Sequence, residues 1–141
     1  MTERVAAPLE VGAELTPLRL PVITRETLAA FAAVSGDRNP LHLDPDVARA
    51  AGEVDVIAHG MLSMAYAGRL LTSLSPPRRV ESWRVRFVAK TPLGARPTCR
   101  GRVTDIRGEV VVLDIWVELE DGTVTTRGEA RCSLVPEGNE V

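Results

Sequence analysis

Asp37 and His42, a carboxylate and an imidazole, stand five residues apart in the run Ser35-Gly36-Asp37-Arg38-Asn39-Pro40-Leu41-His42. In a helix that spacing would send the two side chains to diverging faces. Gly36 is a natural helix stop and Pro40 cannot continue one, so the spacing predicts a tight loop instead. A short loop held between packed elements aims both groups into one cavity, where they form an acid/base pair able to move protons. Taken without their surroundings, Asp37 reads as an Asx-type turn residue and His42 as a satisfied core histidine. Asn39 either braces the loop and orients Asp37 or is simply tolerated before Pro40.

Other chemistries find little support. His42 and His59 are the only histidines, and without an H-E-x-x-H pattern they are a weak ligand set, so no metal is expected. A Gly-rich phosphate loop, a G-x-S-x-G elbow and a dinucleotide fingerprint are all missing, so no cofactor is implied. Cys99 and Cys132 are isolated in stretches that read as strands, which predicts reduced core thiols unless neighbouring strands bring them together. The net charge of −2 is small and mixed along the chain, arguing against nucleic acid or an anionic membrane surface as partner. Lys90 is the one lysine among the 17 basic residues, a bias that points to a GC-rich genome. No apolar run reaches membrane-spanning length and the N-terminus shows no secretory core, so the expected location is the cytoplasm.

The 141 residues suit one domain, with short flexible tails at roughly 1–8 and 136–141. Residues 12–22 read as a short strand and an entry loop. Thr24 is a good N-cap for a helix that Gly36 ends, with Leu28, Phe31, Ala32 and Val34 at helical spacing. Asp44-Pro45 opens a short helix stopped by Gly52, whose Leu43 and Val47 would face a pocket. A third helix runs from Gly60 to about Ser73. From Val80 the period changes to two: Trp83, Val85, Phe87 and Ala89 alternate with Ser82, Arg84, Arg86 and Val88. Val111, Leu113, Ile115, Val117 and Leu119 repeat the pattern. Gly108 and a two-residue Asp121-Gly122 turn make the last three strands an antiparallel meander.

Phe31 to Asp44 reads F-A-x-x-S-G-D-x-N-P-x-H-x-D, followed in order by Ala58-His59-Gly60-Met61-Leu62 and Val85-Arg86-Phe87. In these motifs the chain resembles the MaoC-like (R)-specific hydratases and dehydratases from about Leu9 to Leu134. Within that family it is most similar to the catalytic B-type subunit of the mycobacterial-type fatty-acid-synthase-II (3R)-hydroxyacyl-ACP dehydratase. The resemblance implies an α+β fold, a single hot-dog unit in which an antiparallel sheet wraps a central helix. The Ala-rich helix after Thr24, with Ala29, Ala30, Ala32 and Ala33, is the expected central one.

The implied reaction is reversible hydration of a 2-enoyl thioester of CoA or acyl carrier protein, in fatty-acid metabolism. Asp37 would act as base toward water and His42 as its partner in proton transfer to Cα, with Asn39 as a supporting residue. Gly60 would offer its amide to the thioester oxygen, helped by the helix N-terminus, unless it serves only to open that helix. His59 would fix the turn before it. Arg84 and Arg86 either meet phosphates of the CoA or carrier prosthetic group or form a solvated strand face. The competing readings are a hot-dog acyl thioesterase and a non-catalytic acyl-binding partner subunit. One such unit leaves an open sheet edge, which predicts a homodimer or a heterodimer with a related hot-dog subunit.

Overall fold

Two residue periods divide the chain, and the secondary structure obeys them. The computed structural model describes residues 9–74 and 76–134; the tails expected at 1–8 and 136–141 lie outside these. Strand β1 (Leu18–Arg19) is followed by helix α1 (Arg25–Ser35), a 3₁₀ turn (Pro40–His42), α2 (Pro45–Ala50) and α3 (Gly60–Thr72). Strands β2 (Arg78–Phe87), β3 (Thr98–Arg107), β4 (Val110–Glu118) and β5 (Val124–Leu134) complete the order. Pro17 and Pro21 keep β1 short. Even so, its flanks run along β3 through Gly12 N–H to Val103 O, 2.8 Å, and Leu15 N–H to Gly101 O, 2.9 Å.

The five strands form one antiparallel sheet in the order β1-β3-β4-β5-β2, so β2 lies at an edge beside the last strand. Gly108 (φ 62°) and Glu109 make the two-residue turn between β3 and β4. The β4–β5 connection departs from the two-residue expectation. Leu119 N–H donates to Thr123 O at 2.9 Å and Gly122 N–H to Leu119 O at 2.9 Å, leaving a three-residue loop, Glu120 to Gly122. Asp121 Oδ1 accepts from Thr123 N–H at 2.9 Å, and Gly122 takes the left-handed conformation (φ 87°) that closes such a loop.

Alternation along the strands gives the sheet one apolar face. Val103, Leu113, Ala130 and Trp83 stand opposite one another across four strands, and the next row reads Gly101, Ile115, Gly128 and Val85. The glycines in that second row allow the sheet to curl. A Cβ at Gly128 would lie 1.9 Å from the Arg84 carbonyl oxygen, and one at Gly101 would lie 2.8 Å from the Leu15 side chain. Cys99 and Cys132 are buried free thiols on this face, and burial pushes the Cys99 thiol up to about 12. The opposite face carries Arg100, Trp116 and Arg127, with the Arg127 guanidinium 5.8 Å from the Trp116 ring centroid.

The helix inside the curl is α3, not the alanine-rich α1. Ala67, Leu70 and Leu71 of α3 join the sheet's main core. Gly68 faces the edge strand, where a Cβ would sit in ordinary contact, 3.4 Å, with the Trp83 ring. In α1 only Leu28 and Ala32 are buried, whereas Ala29, Ala30 and Ala33 face outward. Small side chains permit close packing but supply little apolar area to drive it, and α3 has the larger stripe. Helix α1 instead closes a second, smaller core of Ile23, Leu28, Ala48, Val56, Ala58 and Leu62. Among the described residues, no helix is long and apolar enough to cross a membrane.

Gly128→Ala should therefore destabilise the fold by about 3 kcal/mol or more, because the obstacle is backbone and cannot rotate away. Gly108→Ala, where only the left-handed backbone is at issue, should cost about 1 kcal/mol. Urea denaturation of both variants beside the parent measures the difference. Equal midpoints would contradict the close strand approach at Gly128.

Candidate functional site

Helix α1 stops where Gly36 turns left-handed (φ 78°) and returns its N–H to Ala32 O at 3.0 Å. A chain of short side-chain to backbone bonds shapes the loop beyond this stop. Ser35 Oγ accepts from Asp37 N–H at 3.2 Å, Asp37 Oδ1 from Asn39 N–H at 3.2 Å, and Asn39 Oδ1 from Leu41 N–H at 3.0 Å. Asn39 therefore caps the 3₁₀ turn with its side chain and steadies the Asp37 carboxylate with its backbone. Pro40 starts the turn, where its missing N–H costs nothing. The turn brings His42 round to face Asp37.

The segment before α3 locks this loop in place. Ile57 N–H donates to Leu41 O at 3.3 Å, and Ala58 N–H donates to Thr91 O at 2.9 Å. His42 Nδ1–H donates to Ile57 O at 2.7 Å, which leaves Nε2 as the nitrogen free to exchange a proton within the site. That nitrogen lies 3.8 Å from Asp37 Oδ2. The His42 side chain is 12% exposed and that of Asp37 48%, so the pair opens to solvent on the carboxylate side. Farther out, Arg25 grips Asp55 with two bonds of 3.1 and 2.7 Å, tying the first turn of α1 to the same segment. The Arg25 hydrogen bond and the Val56 N–H hold the Asp55 carboxyl below the usual carboxylate range.

His59, the N-cap residue of α3, is buried. Its Nε2–H donates to the Asp37 backbone carbonyl at 3.0 Å, and its ring stacks on His42 with centroids 4.0 Å apart and planes at 28°. Phe31 meets the His59 ring edge-on at 4.9 Å. Ligand atoms of Asp37, His42 and His59 fall within 4.8 Å of one another. Imidazole lone pairs lie in the ring plane, and two stacked rings cannot converge theirs on one ion, so the arrangement suits proton transfer better than metal ligation.

Gly60 comes next as the first residue of α3, and its N–H has no acceptor within the helix. A Cβ here would lie 3.1 Å from the Phe87 ring, which is half exposed and lies over one side of an otherwise exposed glycine. Asp37, His42, Asn39 and His59 thus cluster, with Gly60 covalently next to His59. Arg84 and Arg86 do not join them. Both are exposed on β2, opposite Glu129 and Arg127, and line an open cavity of about 630 Å³ with Val85, Val88 and Gly128. Neither makes an ion pair among the described residues. Leu43 and Val47, expected to face a pocket, are both partly exposed on the surface. Sequence reasoning missed the Ile57 carbonyl, which no residue type announces, and the parts played by the rings of Phe31 and Phe87, which stood in the motifs without an assigned role.

Known proteins similar to this chain give its family and fold. Residues 9–115 match the family model described as MaoC like domain. The chain is 36% identical over 86 residues to the mitochondrial 3-hydroxyacyl-[acyl-carrier-protein] dehydratase of Arabidopsis thaliana, a match covering 61% of this chain and 51% of that protein. The chain thus spans about half the length of that relative. It is 34% identical over 120 residues to 3-hydroxyacyl-thioester dehydratase Z of Mycobacterium tuberculosis, covering 81% of this chain and 76% of that one. Among solved structures, an (R)-hydratase from A. caviae involved in PHA biosynthesis superposes with a TM-score of 0.83 at 30% identity, covering 92% of this chain and 100% of that one.

The contact between Gly60 and Phe87 yields a test of the site's packing. Gly60→Ala should cost about 1–2 kcal/mol as the new methyl group displaces the ring. Combined with Phe87→Ala, the penalty should fall short of the sum of the two single changes. Thermal melts of the four proteins in the cycle measure it, and strict additivity would mean that the ring does not lie over Gly60.

Proposed function

The chain belongs to the MaoC-like domain family, and from that premise we propose that it is an (R)-specific 2-enoyl-thioester hydratase, equivalently a (3R)-hydroxyacyl-thioester dehydratase acting on CoA or acyl-carrier-protein thioesters. One observation carries the reading: His42 Nε2 and Asp37 Oδ2 face each other across 3.8 Å. That is too far for a direct hydrogen bond and suits one oxygen placed about 2.8 Å from each. A water, or the substrate's β-hydroxyl, fits that place.

In the hydration direction Asp37 takes a proton from the water as its oxygen adds to Cβ, and protonated His42 delivers one from Nε2 to Cα. The new hydroxyl then lies between the two groups, and transfer of the proton from Asp37 to His42 restores the pair. Dehydration runs the same steps backward. The Ile57 carbonyl keeps the His42 ring in the orientation both directions need. Negative charge gathers on the thioester oxygen midway, and the Gly60 N–H at the positive end of α3 is the donor assigned to it. A thioesterase would direct its water at the carbonyl carbon, and an intact Asp37–His42 pair beside a single amide donor fits attack at Cβ better.

The reading also requires a second hot-dog unit. Strand β2 is a ten-residue edge, and Met61, Phe87 and Val88 near its end of the molecule are large apolar side chains at least half exposed. Pairing of β2 edges would extend one sheet across two units and cover that surface. The second unit is either an identical chain or a related non-catalytic subunit, as in the B-type dehydratase whose motifs this chain resembles.

The purified chain should hydrate crotonyl-CoA to the (3R)-alcohol with negligible thiol release. Asp37→Asn and His42→Ala, each still folded by circular dichroism, should lower turnover about 100-fold or more. Chiral product analysis, a free-thiol assay and steady-state kinetics decide it. A (3S) product, thiol release faster than hydration, or a folded variant with near-normal turnover would sink the proposal. Light scattering should give a two-unit assembly, alone or with a co-expressed partner, and an active monomer would refute that part.

A further inference from the structure

Every polar atom of the Asp37–His42 pair has an evident use, but one imidazole nearby does not. His59 is 1% exposed, and although it occupies the N-cap position of α3 its side chain makes no capping bond. Its Nε2 faces the Asp37 carbonyl oxygen at 3.0 Å, an acceptor only, so Nε2 carries the hydrogen. Its Nδ1 is buried without a partner among the described residues. A buried polar atom left unpaired is costly, and a merely space-filling position would be served as well by Phe or Leu. Phe31 already supplies an apolar wall against this ring. The feature that only an imidazole provides here is the combination of a flat aromatic face toward His42 and an N–H toward the backbone of Asp37.

We propose that His59 is a positioning residue for the reaction assigned above: its Nε2–H fixes the peptide that carries Asp37, and its ring face fixes the plane of His42, so that one side chain sets the 3.8 Å gap from both sides. The inference rests on that reading of the site. The two contacts act on different partners. The hydrogen bond restrains the Asp37 carbonyl directly after the Gly36 turn, where the chain has just left α1. The stack, 4.0 Å between centroids at 28°, restrains a ring that otherwise has a single hydrogen bond to the Ile57 carbonyl and could pivot about it. A hydrogen-bonded pair has one stable spacing, but two groups that must hold an oxygen between them have no direct contact to set theirs. Their separation has to come from a third residue that touches both.

Two substitutions separate the contacts. His59→Phe keeps a ring against His42 and removes the donor; His59→Gln keeps a donor at a similar reach and removes the ring. Each should lower kcat for crotonyl-CoA hydration by about 10- to 100-fold while KM changes by less than about 3-fold, because placement of the reacting oxygen is lost while most thioester contacts stay. In a His42→Ala background, His59→Phe should cost less than about 3-fold, since the pair it serves is already broken. Near-normal kcat in both folded single variants, or full additivity in the double variant, would overturn the proposal. If the substitutions prevent folding, ¹⁵N-histidine NMR of the unaltered chain still tests it, with only two imidazoles to assign. At a pH where both rings are neutral, His59 should be the Nε2–H tautomer and His42 the Nδ1–H tautomer; the opposite tautomer at His59 would overturn it. That readout needs no substrate, so a chain that lacks hydratase activity altogether would count against the assigned reaction and not against the arrangement of the two rings.

Discussion

His42 and His59 each give a proton to a main-chain carbonyl that lies on the other's side of the site, His42 to Ile57 O and His59 to Asp37 O. The loop after α1 and the approach to α3 are thereby pinned to one another by crossed bonds whose rings lie face to face. The proton transfer proposed for Asp37 and His42 depends on this brace. Loops are ordinarily the mobile part of a fold, and a proton-transfer pair on a free loop would spend most of its time badly placed. Here Gly36, the Asx turn at Asp37, the cap at Asn39 and the fixed φ of Pro40 narrow the loop's choices, and the two imidazoles remove what freedom remains.

The curled sheet has a simpler part, which is to give the brace something rigid to stand on. Helix α3 is held in the curl along its length by Ala67, Leu70 and Leu71, and its first residue is therefore a fixed point. Gly101 and Gly128 allow the curl, since each lies where a neighbour has taken the space of a side chain. The end of β2 returns over that fixed point as Phe87. The helix thus links core to site: its C-terminal half is buried among strands, and its N-terminus faces the pair.

Much of this was legible in the residues. Caps and stops at Thr24, Gly36, Asp44 and Pro45 announced helix boundaries because local hydrogen bonding and backbone geometry fix them. The period of two from Val80 announced the meander for the same kind of reason. The choice of central helix was not local. It depended on which helix had apolar area matched to the sheet's inner face, and α1's alanines fit the space without supplying the area. The length of the β4–β5 loop turned on whether Asp121 would cap Thr123. Within the site, the motif shared with the resembled family singled out Asp37 and His42, but not the 3.8 Å between them or the carbonyl of Ile57. A backbone oxygen carries no sequence signature, and a distance across two loops is set only when both are folded.

The arginine bias of the chain takes on a different meaning beside this site. Lys90, the one lysine, is joined to Glu53 and stands next to Thr91, whose carbonyl holds Ala58. Thioesters acylate free amines without any catalyst, and a lysine nitrogen bound to a carboxylate as a cation is a poor nucleophile. Guanidinium groups, always charged, are poorer still. A surface in which cations are supplied almost wholly by arginine therefore offers activated acyl groups very little to modify.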